Sequence, residues 1–417
     1  MSRIGWQVEA PSRSQFRSRK TAGGQPASFF SSWRVSIAGV TLLGALCALA
    51  PPSASPLQAP DPQQLFQEAF EAQQHGDTSL AVRRYQELIR LRPDMIAARA
   101  NLAIALVSLG RFDEAIAQYR AALKQAPDNP DLRLNLSLAY YKKGDFSTAA
   151  NEFSFLHEHE PSNVRIATLL GDCYVRLGRY AEIISLVTPL EGAHPDDSAL
   201  AWLLGSALIR VGRTQEGLER VEKVAQQRHS AEAYMLAAET HLKLQRFEEA
   251  RRNVNEAMRL NPNLPGLYTV SGMVLEFGGD DEGATAAFQK ALAANPNDFQ
   301  AQLRLGSVLY RQRKLDEARV HLNRALEIDP TSVLPRHELA RVERARGQME
   351  AAVKDLERVV RDDPDWLAPH VELAALYYRL NRPEDGAREK KIVDRLTEKE
   401  QQRESKSHII TPEIPLR

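Results

Sequence analysis

A chain of 417 residues with 43% hydrophobic and 26% charged side chains carries enough apolar surface for a packed fold, and wholesale disorder is excluded. Its 54 basic and 54 acidic groups cancel, but Arg3, Arg13, Arg17, Arg19, Lys20 and Arg34 face only Glu9 in residues 1–50. The remainder is therefore mildly acidic and lacks the clustered positive charge a nucleic-acid partner needs.

The first predicted elements are an N-terminal leader and a spacer. Residues 1–34 are Ser- and Arg-rich and read as a basic, disordered region. Residues 35–50, VSIAGVTLLGALCALA, are free of charge, and Pro51, Pro52, Pro56, Pro60 and Pro62 follow. A basic flank, an apolar stretch and a breaker form an export signal, and the basic flank stays inside, so everything after residue 50 is expected on the far side of a membrane. Cleavage after Ala48-Leu49-Ala50 would leave Pro51 at the cut, so an uncleaved anchor stands beside a cleaved signal as an alternative. As a helix the segment rises about 24 Å against a hydrocarbon core of roughly 30 Å. Cys47 invites comparison with a lipoprotein site, but Leu46 before it is larger than that signal wants. Residues 51–61 are a Pro-rich linker. Membrane contact is expected only through residues 35–50. With Cys47 in this segment and Cys173 far beyond it, no intrachain disulfide is expected and packing alone must hold the fold.

From residue 62 the chain is periodic. Pro93, Pro127, Pro161 and Pro195, then Pro262, Pro296, Pro330 and Pro364, recur every 34 residues, with one gap of 67 in which His229 takes the missing place. The period predicts ten two-helix units over 62–395, starting near 62, 96, 130, 164, 198, 231, 265, 299, 333 and 367. The inner positions agree. Position eight of each unit is small throughout: Ala69, Ala103, Ser137, Gly171, Gly205, Ala238, Gly272, Gly306, Ala340 and Ala374. Position twenty is small in all units but the fourth, where Ile183 stands. Small side chains there let two helices approach to about 8–10 Å. Position seven is Leu102, Leu136, Leu170, Leu204, Leu305, Leu339 and Leu373 in seven units, with Glu68 in the first. Position fifteen is glycine in seven units, Gly76 to Gly347, where the first helix must turn. Position twenty-four is aromatic or aliphatic from Tyr85 to Leu356 and is expected to face the next hairpin, with Lys390 the exception. After Lys390 the run REKKIVDRLTEKEQQRESK reads as a charged helix extension that covers the end of the array. Residues 396–417 thus comprise this extension and a loose tail.

On these positions the chain resembles the tetratricopeptide repeat, with NLSLAYYKKGDFSTAANEF and RLGSVLYRQRKLDEARVHLNRALEIDP close to the family pattern. The resemblance implies an all-α, right-handed α-solenoid superhelix of about ten tandem helix-turn-helix repeats, whose first helices line a concave side through positions two, five, six, nine, twelve and thirteen. It also implies protein or peptide partners.

Three groups of candidate ligand-binding residues follow. An apolar groove over the fourth to seventh repeats includes Thr168, Leu169, Val175, Trp202, Leu203, Ile209, Met235, Leu236, Leu242, Val270 and Met273, and suits an apolar or amphipathic segment; Leu203 and Leu236 have burial between hairpins as the competing reading. Position thirteen carries Lys142, Arg176, Arg210, Lys243, Arg311 and Arg379, a row able to engage carboxylates or simply to complement helix C-termini. Asn101 and Asn135 at position six match asparagines that family members use to grip a peptide backbone. The accompanying clamp is incomplete, because Ala97 and Asp131 stand at position two.

No nucleotide-binding glycine loop, HExxH or CxxC is present, and no cofactor or metal is expected. His157 and His159 point some 200° apart on a helix and cannot share an ion. Cys173, at a core position, is expected to be an inert buried thiol. The expected function is a non-catalytic interaction scaffold of the cell envelope. The alternative is an accessory subunit of an envelope enzyme or of a secretion or polysaccharide-export complex.

Overall fold

Small residues at two fixed positions, a turn glycine between them and a closing proline are instructions for a helical hairpin, repeated. The computed structural model describes residues 61–409, and these form twenty α-helices with no strand among the described residues. The first ten are α1 (Pro62–Gln74), α2 (Thr78–Leu91), α3 (Ile96–Ser108), α4 (Phe112–Gln125), α5 (Pro130–Lys143), α6 (Phe146–His159), α7 (Val164–Leu177), α8 (Tyr180–Ala193), α9 (Ser198–Arg210) and α10 (Thr214–Arg228). The second ten are α11 (Ala231–Lys243), α12 (Phe247–Leu260), α13 (Leu267–Phe277), α14 (Asp281–Ala294), α15 (Phe299–Arg311), α16 (Leu315–Ile328), α17 (Val333–Ala345), α18 (Met349–Asp362), α19 (Leu367–Arg379) and α20 (Pro383–Ile409). The basic stretch, the apolar segment 35–50, the linker as far as residue 60 and the tail from 410 lie outside the described residues. Among the described residues no helix is long and apolar enough to cross a membrane.

Consecutive odd and even helices pair as hairpins, and the hairpins stack into an α-solenoid. Asp61, Asn129, Asn163, Asp197, Ser230 and Asp298 each accept a hydrogen bond from the first turn of the odd helix they precede, satisfying donors that would otherwise be orphaned. Helix α13 starts two residues later than the period suggests, because Pro265 and Gly266 (φ +82) form a turn of their own.

The turn after each odd helix needs a left-handed residue at position fifteen. Seven glycines supply it at φ +70 to +88, and Gln245, Arg313 and Asn381 adopt the same conformation at φ +56 to +63 in the three repeats without glycine.

Packing within the hairpin departs from expectation in one respect. The position-twenty-four side chain reaches back over position eight of its own hairpin: a Cβ on Gly272 would lie 2.5 Å from the Phe288 ring, and one on Gly306 would lie 2.6 Å from Leu322. Tyr85, Phe153, Phe288 and Leu322 are fully buried there. The small residue therefore makes room for a large one on the same hairpin, and burial of each such side chain is worth about 1.5–3 kcal/mol.

Repeat four shows what happens without the small pair. Ile183, fully buried at position twenty, keeps α7 and α8 apart, so that α7 packs more closely on α6, and α8 more closely on α9, than the two do on each other. Gly171 is filled from the next repeat instead, by Leu203, whose Cδ1 would lie 2.8 Å from an added Cβ.

A buckle recurs at the start of odd helices. Arg99, Arg133, Gln302 and His370, all at position four, reach back to the carbonyls of Pro93, Pro127, Pro296 and Pro364 at 3.0–3.3 Å. The same side chains also meet position twenty-three of their own hairpins, Gln118, Glu152, His321 and Glu389, at 2.5–3.0 Å. Each buckle ties the turn between two repeats to both helices of the repeat that follows.

Helix α20 is one continuous helix through the charged run that sequence assigned to an end cover. After Leu396, which is buried, residues 398–402 are all exposed, and Lys399 reaches Asp365 at 2.8 Å.

Candidate functional site

Odd helices contact the next odd helices at α3–α5, α7–α9, α11–α13, α13–α15 and α15–α17, whereas even helices make contacts of that extent only with their chain neighbours. The odd helices are thus closer to one another, and their wall is the inside of the curve. Side chains on it are held by helices on both sides, a rigid setting for a binding surface.

Positions five, nine and twelve of this wall are half-buried across the first three repeats and apolar at all but Gln73, as at Phe66, Phe70, Ile104, Val107, Leu134, Leu138 and Tyr141. Sequence reasoning placed the apolar groove further along. There Trp202, Met235, Leu236, Leu242, Met273 and Val175 are half-buried, while Thr168, Leu169, Leu203, Ile209 and Val270 belong to the core. Leu203 is lost to the wall because it fills the space above Gly171. The open apolar surface is therefore narrower in repeats four to seven than expected, and begins at repeat one.

Polar groups interrupt it at position nine. Asp172 accepts a 2.5 Å hydrogen bond from the Tyr141 hydroxyl, linking consecutive odd helices, and burial pushes that hydroxyl up to about 12. Glu239 is recessed in the wall, and desolvation raises its carboxyl above the usual range against the pull of Lys243 and Arg210.

The position-thirteen cations divide into two kinds. Arg311 is spent on Asp281 and Glu276 at 2.7 and 3.1 Å. Arg176 has Asp172 at 3.6 Å and lies over the Phe146 ring. Lys142, Arg210, Lys243 and Arg379 are exposed and form no ion pair among the described residues. Lys142, Arg176, Arg210 and Lys243 occupy four consecutive repeats, so a rim of cations borders the middle of the wall.

Asn101 and Asn135 are half-buried on neighbouring helices. The Tyr85 hydroxyl donates to Gln73 Oε1 at 3.2 Å; burial raises it to about 12 while the neighbouring Asn101 amide lowers it, so Asn101 lies against its own stack. Asn135 has no hydrogen-bond partner among the described residues and faces the same stretch as Leu134 and Leu138.

Beyond repeat six the wall becomes charged and self-paired. Glu276 lies 3.7 Å from Arg304 as well as near Arg311; burial raises this carboxyl, against both arginines. Glu372 meets His337 at 3.2 Å and Arg344 at 3.5 Å, and Arg341 lies over Tyr310. Cys173 is fully buried, and burial pushes its thiol up to about 12, which leaves almost no thiolate at neutral pH. Among the described residues no group of three or more His, Cys, Asp or Glu side chains is placed to hold a metal.

Comparison with known proteins fits this geometry. A profile described as TPR repeat matches residues 104–144, and profiles described as tetratricopeptide repeat match 140–208, 231–264 and 272–333. Anaphase-promoting complex subunit 3 of Schizosaccharomyces pombe is 27% identical over 104 residues, 25% of this chain and 16% of that protein, so the similarity spans about a sixth of that relative's length. The crystal structure of the APC/C hetero-tetramer Cut9-Hcn1 shares the fold at 15% identity and a TM-score of 0.50, over 81% of this chain and 87% of the other. A tetratricopeptide repeat protein from Parabacteroides merdae aligns at 17% identity and a TM-score of 0.48, over 58% of this chain and 97% of its own.

Proposed function

From the premise that this chain is built of tetratricopeptide repeats, we propose that it is an interaction scaffold whose odd-helix wall holds a segment of another protein. The observation that carries this reading is the wall itself: half-open apolar side chains from Phe66 to Met273 lie beside the exposed cations Lys142, Arg210 and Lys243, which form no ion pair among the described residues. Apolar contact supplies affinity, and the rim at Lys142, Arg176, Arg210 and Lys243 selects a segment with acidic side chains. An extended segment advances about 3.3 Å per residue and odd helices are spaced by roughly 10 Å, so carboxylates every third residue would meet successive repeats.

The leader in residues 1–50 supports a place in the cell envelope, with the array on the exported side. Within that setting the chain either gathers partner proteins on its own account or serves as an accessory subunit of an envelope enzyme or export complex. A reporter enzyme that works only outside the cytoplasm, fused after residue 409, should be active; activity only of a cytoplasmic reporter would remove the envelope from the proposal.

The rim is tested by reversing Lys142, Arg210 and Lys243 to Glu. All three are exposed, but Arg210 and Lys243 act on the recessed Glu239, so the reversal is made in a Glu239→Gln chain, whose helix content and melting it should match. Affinity for partners crosslinked to the native protein should fall at least tenfold, and the salt dependence of binding should flatten. Unchanged affinity in a folded variant would assign these cations to helix-terminus complementation alone.

A further inference from the structure

We propose that the C-terminal end of the array is a receptor for a single amphipathic helix from another protein, one that carries an aliphatic residue followed one turn later by a carboxylate.

The receptor is revealed by what the other nine hairpins do at the same positions. Position twenty-four is buried in all nine, yet Lys390 is exposed; position twenty-seven is buried in all nine, yet Val393 is half-open. On α19 the small residue of position eight, Ala374, is half-open where its nine equivalents are buried. Beside it Val371 and Tyr378 are 47% and 49% exposed, and Ala375 is exposed too. Among the described residues, an apolar strip of α19 and the adjoining edge of α20 thus lack the covering neighbour that every earlier hairpin has. The described part of α20 leaves this strip exposed.

Contacts between earlier repeats show what this surface takes. Position eight is open to the next odd helix where position twenty-four does not fill it: in repeat four Gly171 receives Leu203, at position six, and beside Ala374 position twenty-four is the exposed Lys390. Position twelve bonds position nine of the next, as Tyr141 bonds Asp172. Helix α7 offers Gly171 to Leu203 at position six, and α5 offers Tyr141, beside Lys142, to Asp172 at position nine, three residues further along an incoming helix. Helix α19 offers Ala374, Tyr378 and Arg379, the same kinds of group at the same spacing. Its complement is therefore a helix with Leu-x-x-Asp or Leu-x-x-Glu on one face.

Charge narrows the source. Arg379 and Lys390 flank the strip and form no ion pair among the described residues. Two copies meeting end to end would bring these cations together, which disfavours a symmetric dimer. Head-to-tail stacking fails as well, since α1 presents Gln67 and Phe70 at positions six and nine, with Gln64 and Glu71 exposed around them. A separate acidic-flanked helix satisfies both the apolar strip and the cations.

The probe is a fluorescein-labelled synthetic peptide of residues 163–179 with Cys173→Ser, and with Arg165→Glu and Arg176→Glu to supply the acidic flanks, titrated against the full chain by anisotropy. Saturable binding is expected, weakened at least tenfold by Val371→Glu, an exposed site that leaves melting unchanged. Ala374→Glu should act likewise. Tyr378→Phe should weaken the parent peptide three- to tenfold and leave a peptide carrying Asp172→Ala unaffected. Absence of saturable binding, or binding that Val371→Glu does not disturb in a folded chain, overturns the proposal. So does a chain that sediments as a dimer and becomes monomeric on Val371→Glu, because the surface would then belong to a second copy.

Discussion

At the scale of single residues, the fold rests on backbone conformations that few side chains accept. Arg313 sits at φ +63 where seven sister repeats have glycine, and its exposed side chain forms no hydrogen bond or ion pair there that would offset the strain. The left-handed region costs an L-residue about 1–2 kcal/mol, and glycine returns part of that through its freer unfolded chain. Arg313→Gly should therefore stabilise by about 0.5–1 kcal/mol, read as a higher urea midpoint at constant slope; no gain, or a loss, would show that the turn is unstrained. The glycines at position fifteen were legible in the sequence, and so was Cys173 as a buried thiol, because both depend on neighbours close in the chain. The fate of position-thirteen cations was not. Arg210 and Arg311 look alike as letters, but only Arg311 finds Asp281 thirty residues back on the neighbouring hairpin, a distinction made by stacking.

At the scale of the hairpin, small and large residues work as pairs. Gly272→Ala pushes a methyl to within 2.5 Å of the buried Phe288 ring, and overpacking of this kind costs about 1–3 kcal/mol. Chemical denaturation should register that loss, and Phe288→Leu in the same chain should make the added methyl less harmful; equal costs in both backgrounds would break the pairing. The buckle is the second hairpin device. Arg133 and Glu152 are mostly buried and 2.8 Å apart, so Arg133→Ala and Glu152→Ala should show a coupling of about 0.5–1 kcal/mol in a double-mutant cycle, with additive losses as the contrary result. The hairpin's core was readable from a 34-residue period, since positions eight and twenty hold small residues whatever their surroundings. The buckle escaped notice although its signal was present: polar or charged pairs nineteen residues apart, in Arg133 with Glu152 and His370 with Glu389. Position twenty-four was read only as facing the next hairpin, because its reach back over position eight depends on side-chain length across a helix pair, which spacing alone does not give.

At the scale of the whole array, local contacts dominate, so stability grows repeat by repeat and the surface is a continuous wall. The sequence disclosed that a wall exists and which helices build it. It could not disclose which wall residues stay open, because Leu203 and Trp202 are adjacent letters of which one fills the neighbouring glycine site and the other does not. Nor could it show that the strip of α19 around Val371 and Tyr378 stays exposed among the described residues. The central claim is that the odd-helix side, and not the outer side, receives a partner. It is tested most directly by placing a photocrosslinking amino acid at Trp202 on the inner wall or at Val320 on the outer one, which is 65% exposed, and irradiating the native host. The account predicts a discrete protein adduct from position 202 and none from position 320; adducts only from position 320, or equal yields from both, would contradict it.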